Sequence, residues 1–317
     1  MKKTLIIFLF FLISCIHLHA QEVKVNPVTK IIEVIKTKYA PDKRLAIFNV
    51  SAMDSANIFI LSGETNIPEA KYDLLNKLKN LNLNFTDEIH SLPEQNLGDK
   101  IYGLVNLSVA NVRSTPDHAA ELATQALLGT PVKVYKKASG FYLIQTPDNY
   151  ISWVDDDGII PMSKAQINEW LNSERIIYTK EYGFSYSQSN EFSSRVSDLT
   201  AGNILILLGL ENNFYKVKYP DGRIAFVDIN NCEKFITWLN KRNPTETDIV
   251  STAQLFMGIP YLLGGTSAKG MDCSGFTKTV YFLNGIVLPR DASQQVNTGI
   301  LVDTQNGFEN LRAGDLL

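Results

Sequence analysis

The chain has 317 residues, 45% hydrophobic, 10% aromatic and 20% charged, an average globular composition that excludes a disordered tail, a collagen-like fibre and a low-complexity linker. At roughly 100–150 residues per domain, this length predicts two or three domains. Lys and Arg number 30 against 33 Asp and Glu, a net charge of −3, with no basic run longer than two residues. Nucleic acid is not an expected partner, because a phosphate-binding surface needs clustered Lys and Arg.

At the N-terminus, Lys2 and Lys3 precede an apolar run from Leu5 to Ile13, and a short polar stretch ends at Ala20. A basic end, an apolar core of about ten residues and a small residue at the cut predict a secretory signal over residues 1–20. Nine apolar residues are too few to cross a bilayer core, which takes about twenty, and no later apolar segment is long enough to span. Leu12-Ile13-Ser14-Cys15 also fits a bacterial lipobox, in which Cys15 would carry a lipid anchor. Both routes predict an exported protein of the periplasm or cell envelope. Removing residues 1–20 leaves 28 basic and 33 acidic residues, a net charge of −5.

A small α+β domain is expected over residues 22–98. Residues 22–38 read as a helix with Val23, Ile31, Val34 and Ile35 on its apolar face. Residues 44–50 and 57–61 read as strands. Pro68 opens a second helix through Leu81, with Leu74, Leu75, Leu78 and Leu81 at helical spacing. Nothing in this segment points to a task.

The next stretch contains a repeat. Residues 141–155 align without gaps to 214–228 at an offset of 73, with seven of fifteen positions identical, and Gly129 and Gly202 keep the same offset. Each copy consists of short alternating strands joined by turns such as Pro147-Asp148-Asn149 and Pro220-Asp221-Gly222, the pattern of a small β-barrel. The two barrels are expected over 100–160 and 176–235. Their pattern resembles bacterial SH3-like domains, which accompany cell-wall enzymes; the simpler reading is a duplicated spacer without a ligand. Linking helices are expected at Ser163–Ser173, capped by Ser163 with Gln166 at the third position, and at Glu233–Lys241. Asn243-Pro244-Thr245 marks the start of a last region, 245–317.

That region carries the unusual chemistry. Pro260-Tyr261-Leu-Leu-Gly264-Gly265-Thr266 leads into Gly270-Met271-Asp272-Cys273-Ser274-Gly275-Phe276, after which Phe276, Val280 and Leu283 fall at helical spacing up to Gly285. Cys273 is therefore placed at the first turn of a helix. Helix N-termini carry partial positive charge and free amide donors, which stabilise a thiolate and can receive the oxyanion of an acyl transfer. The alternative is a buried structural cysteine, the commonest setting for the residue type. The small polar flanks Asp272, Ser274 and Gly275 favour a nucleophile. Cys232, beside Asn231, lacks such flanks and reads as structural, so a Cys232–Cys273 disulfide is not expected. No His, Asp and Glu cluster has ligand spacing, so no metal and no cofactor is expected.

Pro-Tyr-x-x-Gly-Gly-Thr, Asp-Cys-Ser-Gly-Phe, Leu288-Pro289-Arg290-Asp291 and Gly314-Asp315-Leu316-Leu317 together resemble the NlpC family of cell-wall cysteine peptidases. With two SH3-like units ahead, the layout over about residues 100–317 is similar to the γ-D-glutamyl-L-diamino-acid endopeptidases of murein peptides. The resemblance implies a papain-like α+β domain in which Cys273 attacks the amide between γ-D-Glu and the diamino acid while a histidine moves the protons. It implies peptidoglycan-derived peptides as substrates, with Tyr261 lining the pocket and Ser274 contacting substrate. It also implies an amine site in which Asp291 holds the ammonium of a free L-Ala, closed from the first barrel by Glu121 and Tyr150. The simpler roles are an Asp291–Arg290 ion pair and barrel packing for Tyr150. Ala292 departs from the serine expected beside Asp291, which puts one substrate hydrogen bond in doubt.

Beyond residue 20 the histidines are His90 and His118, both upstream of this region. The resemblance places the catalytic histidine after the Gly-Asp-Leu-Leu strand, so the peptidase domain, 73 residues from 245 to 317, is expected to be truncated at its C-terminus and inactive as given. The alternative reading is a non-catalytic cell-wall-binding or scaffold protein.

Overall fold

The computed structural model describes residues 27–316 except 57, 242 and 306. The signal-like residues 1–20, Cys15 and Val23 lie outside the described residues. The chain forms an N-terminal α+β unit, two seven-stranded antiparallel sheets and a C-terminal region of short helices.

In the N-terminal unit, α1 (Pro27–Tyr39) buries Val28, Ile32 and Ile35, three or four residues apart as a helix face requires. Val34 does not share that face and is 57% exposed, because one residue turns an α-helix by about 100° away from Ile35. β1 (Phe48–Ser55) and β2 (Ile58–Thr65) pair as an antiparallel hairpin, later in the chain than the expected 44–50 and 57–61. Residues 42–46 instead form a turn, with Leu45 and Ala46 N–H donating to Asp42 O. α2 (Pro68–Asn80) matches the expected helix and buries Leu74 and Leu78, whereas Leu81 caps its end and is exposed. It crosses over to β3 (Phe85–Ser91), which runs parallel to β2. Only Ile89 of β3 is buried, so the strand has no apolar alternation by which to be read from sequence.

The first sheet comprises β4 (Tyr102–Val105), β5 (Val109–Arg113), β6 (Leu122–Leu127), β7 (Pro131–Ala138), β8 (Phe141–Gln145), β9 (Ile151–Asp155) and β10 (Ile159–Met162). Helix α3 (Lys164–Asn172) follows, with the Ser163–Gln166 capping box in place. The second sheet comprises β11 (Arg175–Tyr178), β12 (Tyr182–Tyr186), β13 (Arg195–Thr200), β14 (Ile204–Glu211), β15 (Phe214–Lys218), β16 (Ile224–Asp228) and β17 (Cys232–Lys234). Strand orders are β10-β4-β7-β8-β9-β5-β6 and, read the same way, β17-β11-β14-β15-β16-β12-β13. The repeated sequence is the β8–β9 hairpin and its copy β15–β16, which share one register: Phe141 faces Asp155 as Phe214 faces Asp228. Asp155 and Asp228 then cap matching 3-10 turns, accepting from Asp157 N and Asn230 N.

Gly129 (φ 79°) and Gly202 (φ 92°) occupy equivalent turns, donating to Val105 O and Tyr178 O at 2.8 Å each. At Gly129 the two sheets touch: Ile204 N donates to Leu128 O at 2.9 Å, and a Cβ on Gly129 would lie 2.2 Å from Ile204 O. Left-handed φ and backbone contact together require glycine there.

The expected second linking helix is shorter than 233–241: α4 covers Phe235–Leu239, because residues 232–234 pair with β11 as β17. Thr245 caps α5 (Glu246–Leu255) through a capping box with Asp248. The two-residue strands β18 (Thr266–Ser267) and β19 (Gly270–Met271) lead into α6 (Cys273–Leu283), and α7 (Ala292–Gln295) follows. Trp238 of α4 stacks on Phe282 at 5.4 Å and donates from Nε1 to Leu283 O at 2.7 Å, which fixes the C-terminal end of α6. No helix among the described residues is long and apolar enough to cross a membrane.

Candidate active site

Cys273 is the first residue of α6 and is exposed. Its position is set by Asp272, whose Oδ1 accepts from Gly275 N at 2.7 Å and whose Oδ2 accepts from Gly264 N at 2.9 Å. One carboxylate thus caps the helix and anchors the preceding glycine loop. Arg290 supports it from beneath, with Nη2 donating to Asp272 Oδ2 at 2.6 Å and Nη1 donating to Ser274 Oγ at 2.9 Å. Both members of the pair are buried, with side chains 2% and 7% exposed. Burial by itself would raise the Asp272 carboxyl, but the Arg290 guanidinium and the amides of Gly275 and Gly264 outweigh it and hold it below its usual value.

The glycines make this packing possible. A Cβ on Gly275 would lie 2.0 Å from Gly265 O, and one on Gly264 (φ +84°) would lie 2.0 Å from Leu122 O. The loop therefore rests directly on β6 of the first sheet, bringing Cys273 to the junction between the two. Gln125 of β6, which sequence reasoning did not single out, fastens that junction. Its Oε1 accepts from Thr266 N at 3.0 Å and from Ser267 Oγ at 2.8 Å. Lys278 of α6 adds a partly buried ion pair to Asp148 in the β8–β9 turn at 2.7 Å. Lys269 reaches both sheets, donating to Ser108 Oγ at 2.9 Å and pairing with Asp198 at 2.8 Å. Gln125 sits in a strand of mixed character, so only its tertiary partners reveal it.

The residues expected at the site fall into two groups. Ser274 is buried, with its hydroxyl held between Arg290 and Asp272, whereas Tyr261 is exposed and its backbone bridges to Met271. Glu121 is exposed immediately before the Leu122 carbonyl that Gly264 abuts. Tyr150 is buried in the first sheet; burial pushes its hydroxyl up, and the nearby Asp291 charge pushes it further. Asp291 does not pair with Arg290, which turns inward to Asp272. Asp291 instead receives Arg44 of the N-terminal unit, Nη1 to Oδ2, at 2.8 Å. Arg44 gave no signal in the sequence.

His118 stacks on Phe141 at 5.0 Å, with Nε2 3.4 Å from Asp155 Oδ2, and His90 lies on β3. Among the described residues, no hydrogen bond joins either to Cys273. Cys232 and Cys273 are both free, and burial pushes the Cys232 thiol far up, as suits a structural residue. The consecutive residues Asp155, Asp156 and Asp157 bring their carboxylates within 4.8 Å of one another, an acidic grouping where the sequence reading expected none. The Asp155 carboxylate accepts from the Asp157 amide and faces His118, and Asp156 pairs with Lys137.

Residues 258–317, which hold the glycine loop, Cys273 and Asp291, match the model of the NlpC/P60 family. The likeness to the NlpC/P60 family model is confined to this C-terminal segment. Residues 112–159 match the bacterial dipeptidyl-peptidase Sh3 domain, in the first sheet. The γ-D-glutamyl-L-lysine dipeptidyl-peptidase of Bacillus cereus is 30% identical over 208 residues, covering 63% of this chain and 60% of the relative. The protein of the same name from Bacillus subtilis is 34% identical over 207 residues, covering 62% and 63%. The chain thus spans less than two thirds of the length of these relatives. The crystal structure of an NlpC/P60 family protein from Bacillus cereus is similar at a TM-score of 0.58 and 25% identity, over 67% of this chain and 80% of that one. In the NlpC/P60 segment, then, an exposed thiol stands at a capped helix N-terminus over a buried Arg290–Asp272 pair.

Proposed function

We propose that this protein is an exported cysteine endopeptidase that cleaves the γ-D-glutamyl–diamino acid amide of murein peptides bearing a free N-terminal L-Ala. The observation that carries the reading is the exposed Cys273 at the capped first turn of α6, in a segment of the NlpC/P60 family. The γ-D-glutamyl-L-lysine bond named for the Bacillus relatives supplies the substrate class, and the Lys2-Lys3 and apolar pattern of residues 1–20 supports export.

In this mechanism Cys273 attacks the scissile carbonyl, the C–N bond breaks as the thiol's proton passes to the departing diamino acid amine, and water then hydrolyses the resulting thioester to the free acid and the regenerated thiol. The Cys273 and Ser274 amides of the first turn receive the oxyanion, since those of Gly275 and Phe276 are taken by Asp272. Asp272 and Arg290 act through position, fixing the turn that carries the thiol. Asp291 accepts the substrate ammonium as a charge-assisted hydrogen bond, with Tyr150 and Glu121 closing the site from the first sheet and Tyr261 lining the pocket.

The test is hydrolysis of L-Ala-γ-D-Glu-L-Lys by the full-length natural protein. Release of lysine that Cys273→Ala abolishes supports the reading. Binding of the peptide without turnover refutes catalysis and leaves the wall-binding alternative.

A further inference from the structure

The carboxylate assigned to the substrate ammonium already holds a cation. Arg44 lies in the turn between α1 and β1, and its Nη1 donates to Asp291 Oδ2 at 2.8 Å and to Ser293 Oγ at 3.2 Å. The rest of the guanidinium is clamped by Asp42, with Nε 2.8 Å from Oδ1 and Nη2 2.7 Å from Oδ2. Gln294 Nε2 also donates to Asp42 Oδ2, at 2.9 Å, so the turn grips the start of α7 at two points. The backbone of this turn is fixed as well. Ile151 N donates to Arg44 O at 2.7 Å, and Gln145 Nε2 donates to Leu45 O at 3.3 Å. Arg44 is thus delivered to Asp291 by a turn that is bonded to the first sheet on one side and to α7 on the other.

Resting on the amine-site reading above, we propose that Arg44 is a specificity-determining residue: a tethered cation that stands in the ammonium's place on Asp291, so that a peptide's free amino terminus must displace it to bind. A guanidinium and a primary ammonium compete for the same carboxylate oxygen. Asp42 keeps a partner for Arg44 when it lets go, so displacement breaks one half-exposed ion pair, with side chains 33% and 28% exposed, and strands no bare charge. This gives residues 27–91 a part in substrate selection, which their sequence did not disclose.

Binding measures this directly. Titration calorimetry on the full-length protein carrying Cys273→Ala would use L-Ala-γ-D-Glu-L-Lys and its N-acetylated form. Arg44→Gln is expected to tighten the free-amine peptide about two- to fivefold, the scale of a half-exposed ion pair, while leaving the acetylated peptide unchanged. Arg44→Lys, which keeps the cation, is expected to match the parent. Equal shifts for both peptides, no change, or weaker free-amine binding in Arg44→Gln would overturn the inference. If Asp291→Asn nevertheless weakens only the free-amine peptide, the amine site itself stands. Free-amine binding that is indifferent to Asp291→Asn would overturn the site and the inference together.

Discussion

Arg290 donates to both Asp272 and Ser274 on either side of Cys273, and its side chain is 2% exposed. A guanidinium so placed ties the turn bearing the thiol to the segment that follows α6, in surroundings where neither charge is left to water.

Removing one partner of such a pair leaves the other buried and unpaired, at a cost of about 3–5 kcal/mol. Arg290→Met is therefore expected to lower the urea midpoint sharply. The pH dependence has a definite sign. The Asp272 carboxyl lies below its ordinary value in the folded protein, so its contribution is complete above the unfolded value of about 3.9 and is lost as pH falls through the folded one. In Arg290→Met burial acts without its strongest opponent, and the acid limb of stability is expected to move to higher pH. Urea titrations from pH 3 to 7 check this; an unmoved limb would count against the pair.

Thiol accessibility separates the two cysteines. Iodoacetamide is expected to label Cys273, which is exposed, and to spare Cys232, which lies against the second core with its thiol pushed up by burial. Peptide mass mapping after brief labelling of the native protein reads this out. Dominant labelling of Cys232 would contradict the placement of both.

Gly264 makes a third case. Alanine there combines a left-handed φ of +84° with a Cβ only 2.0 Å from Leu122 O. Backbone strain alone costs about 1–2 kcal/mol, and the contact adds to it by forcing the loop off β6. Gly264→Ala is expected to melt several degrees lower and to lose turnover, whereas Gly209→Ala, whose Cβ would meet nothing within 4 Å, is expected to be neutral. Differential scanning calorimetry of the two variants decides it.

Much of this molecule is written locally. The offset of 73 residues is a feature of the linear sequence, and it translates into two sheets with one strand order and one hairpin register, because alternation and turn residues specify strands and their pairing at short range. Helix α2, the Ser163 capping box and Cys273 at the start of α6 were legible for the same reason: caps and periodicity act within a few residues. β3 was not, since its parallel partner β2 is twenty or more residues away and its own apolar content is one buried isoleucine.

The surroundings of Cys273 belong to tertiary structure. Asp291 sits beside Arg290 in the chain, yet packing sends Arg290 inward to Asp272 and gives Asp291 the guanidinium of Arg44, 247 residues away. Gln125, Lys278 and Lys269 became visible only through their partners across the junction. Sequence alone determined the repeat, the capped helix and the nucleophile candidate, because those rest on local hydrogen bonding. Which charges meet at the site was decided by the fold, because an ion pair depends on distance in space and leaves no period in the chain.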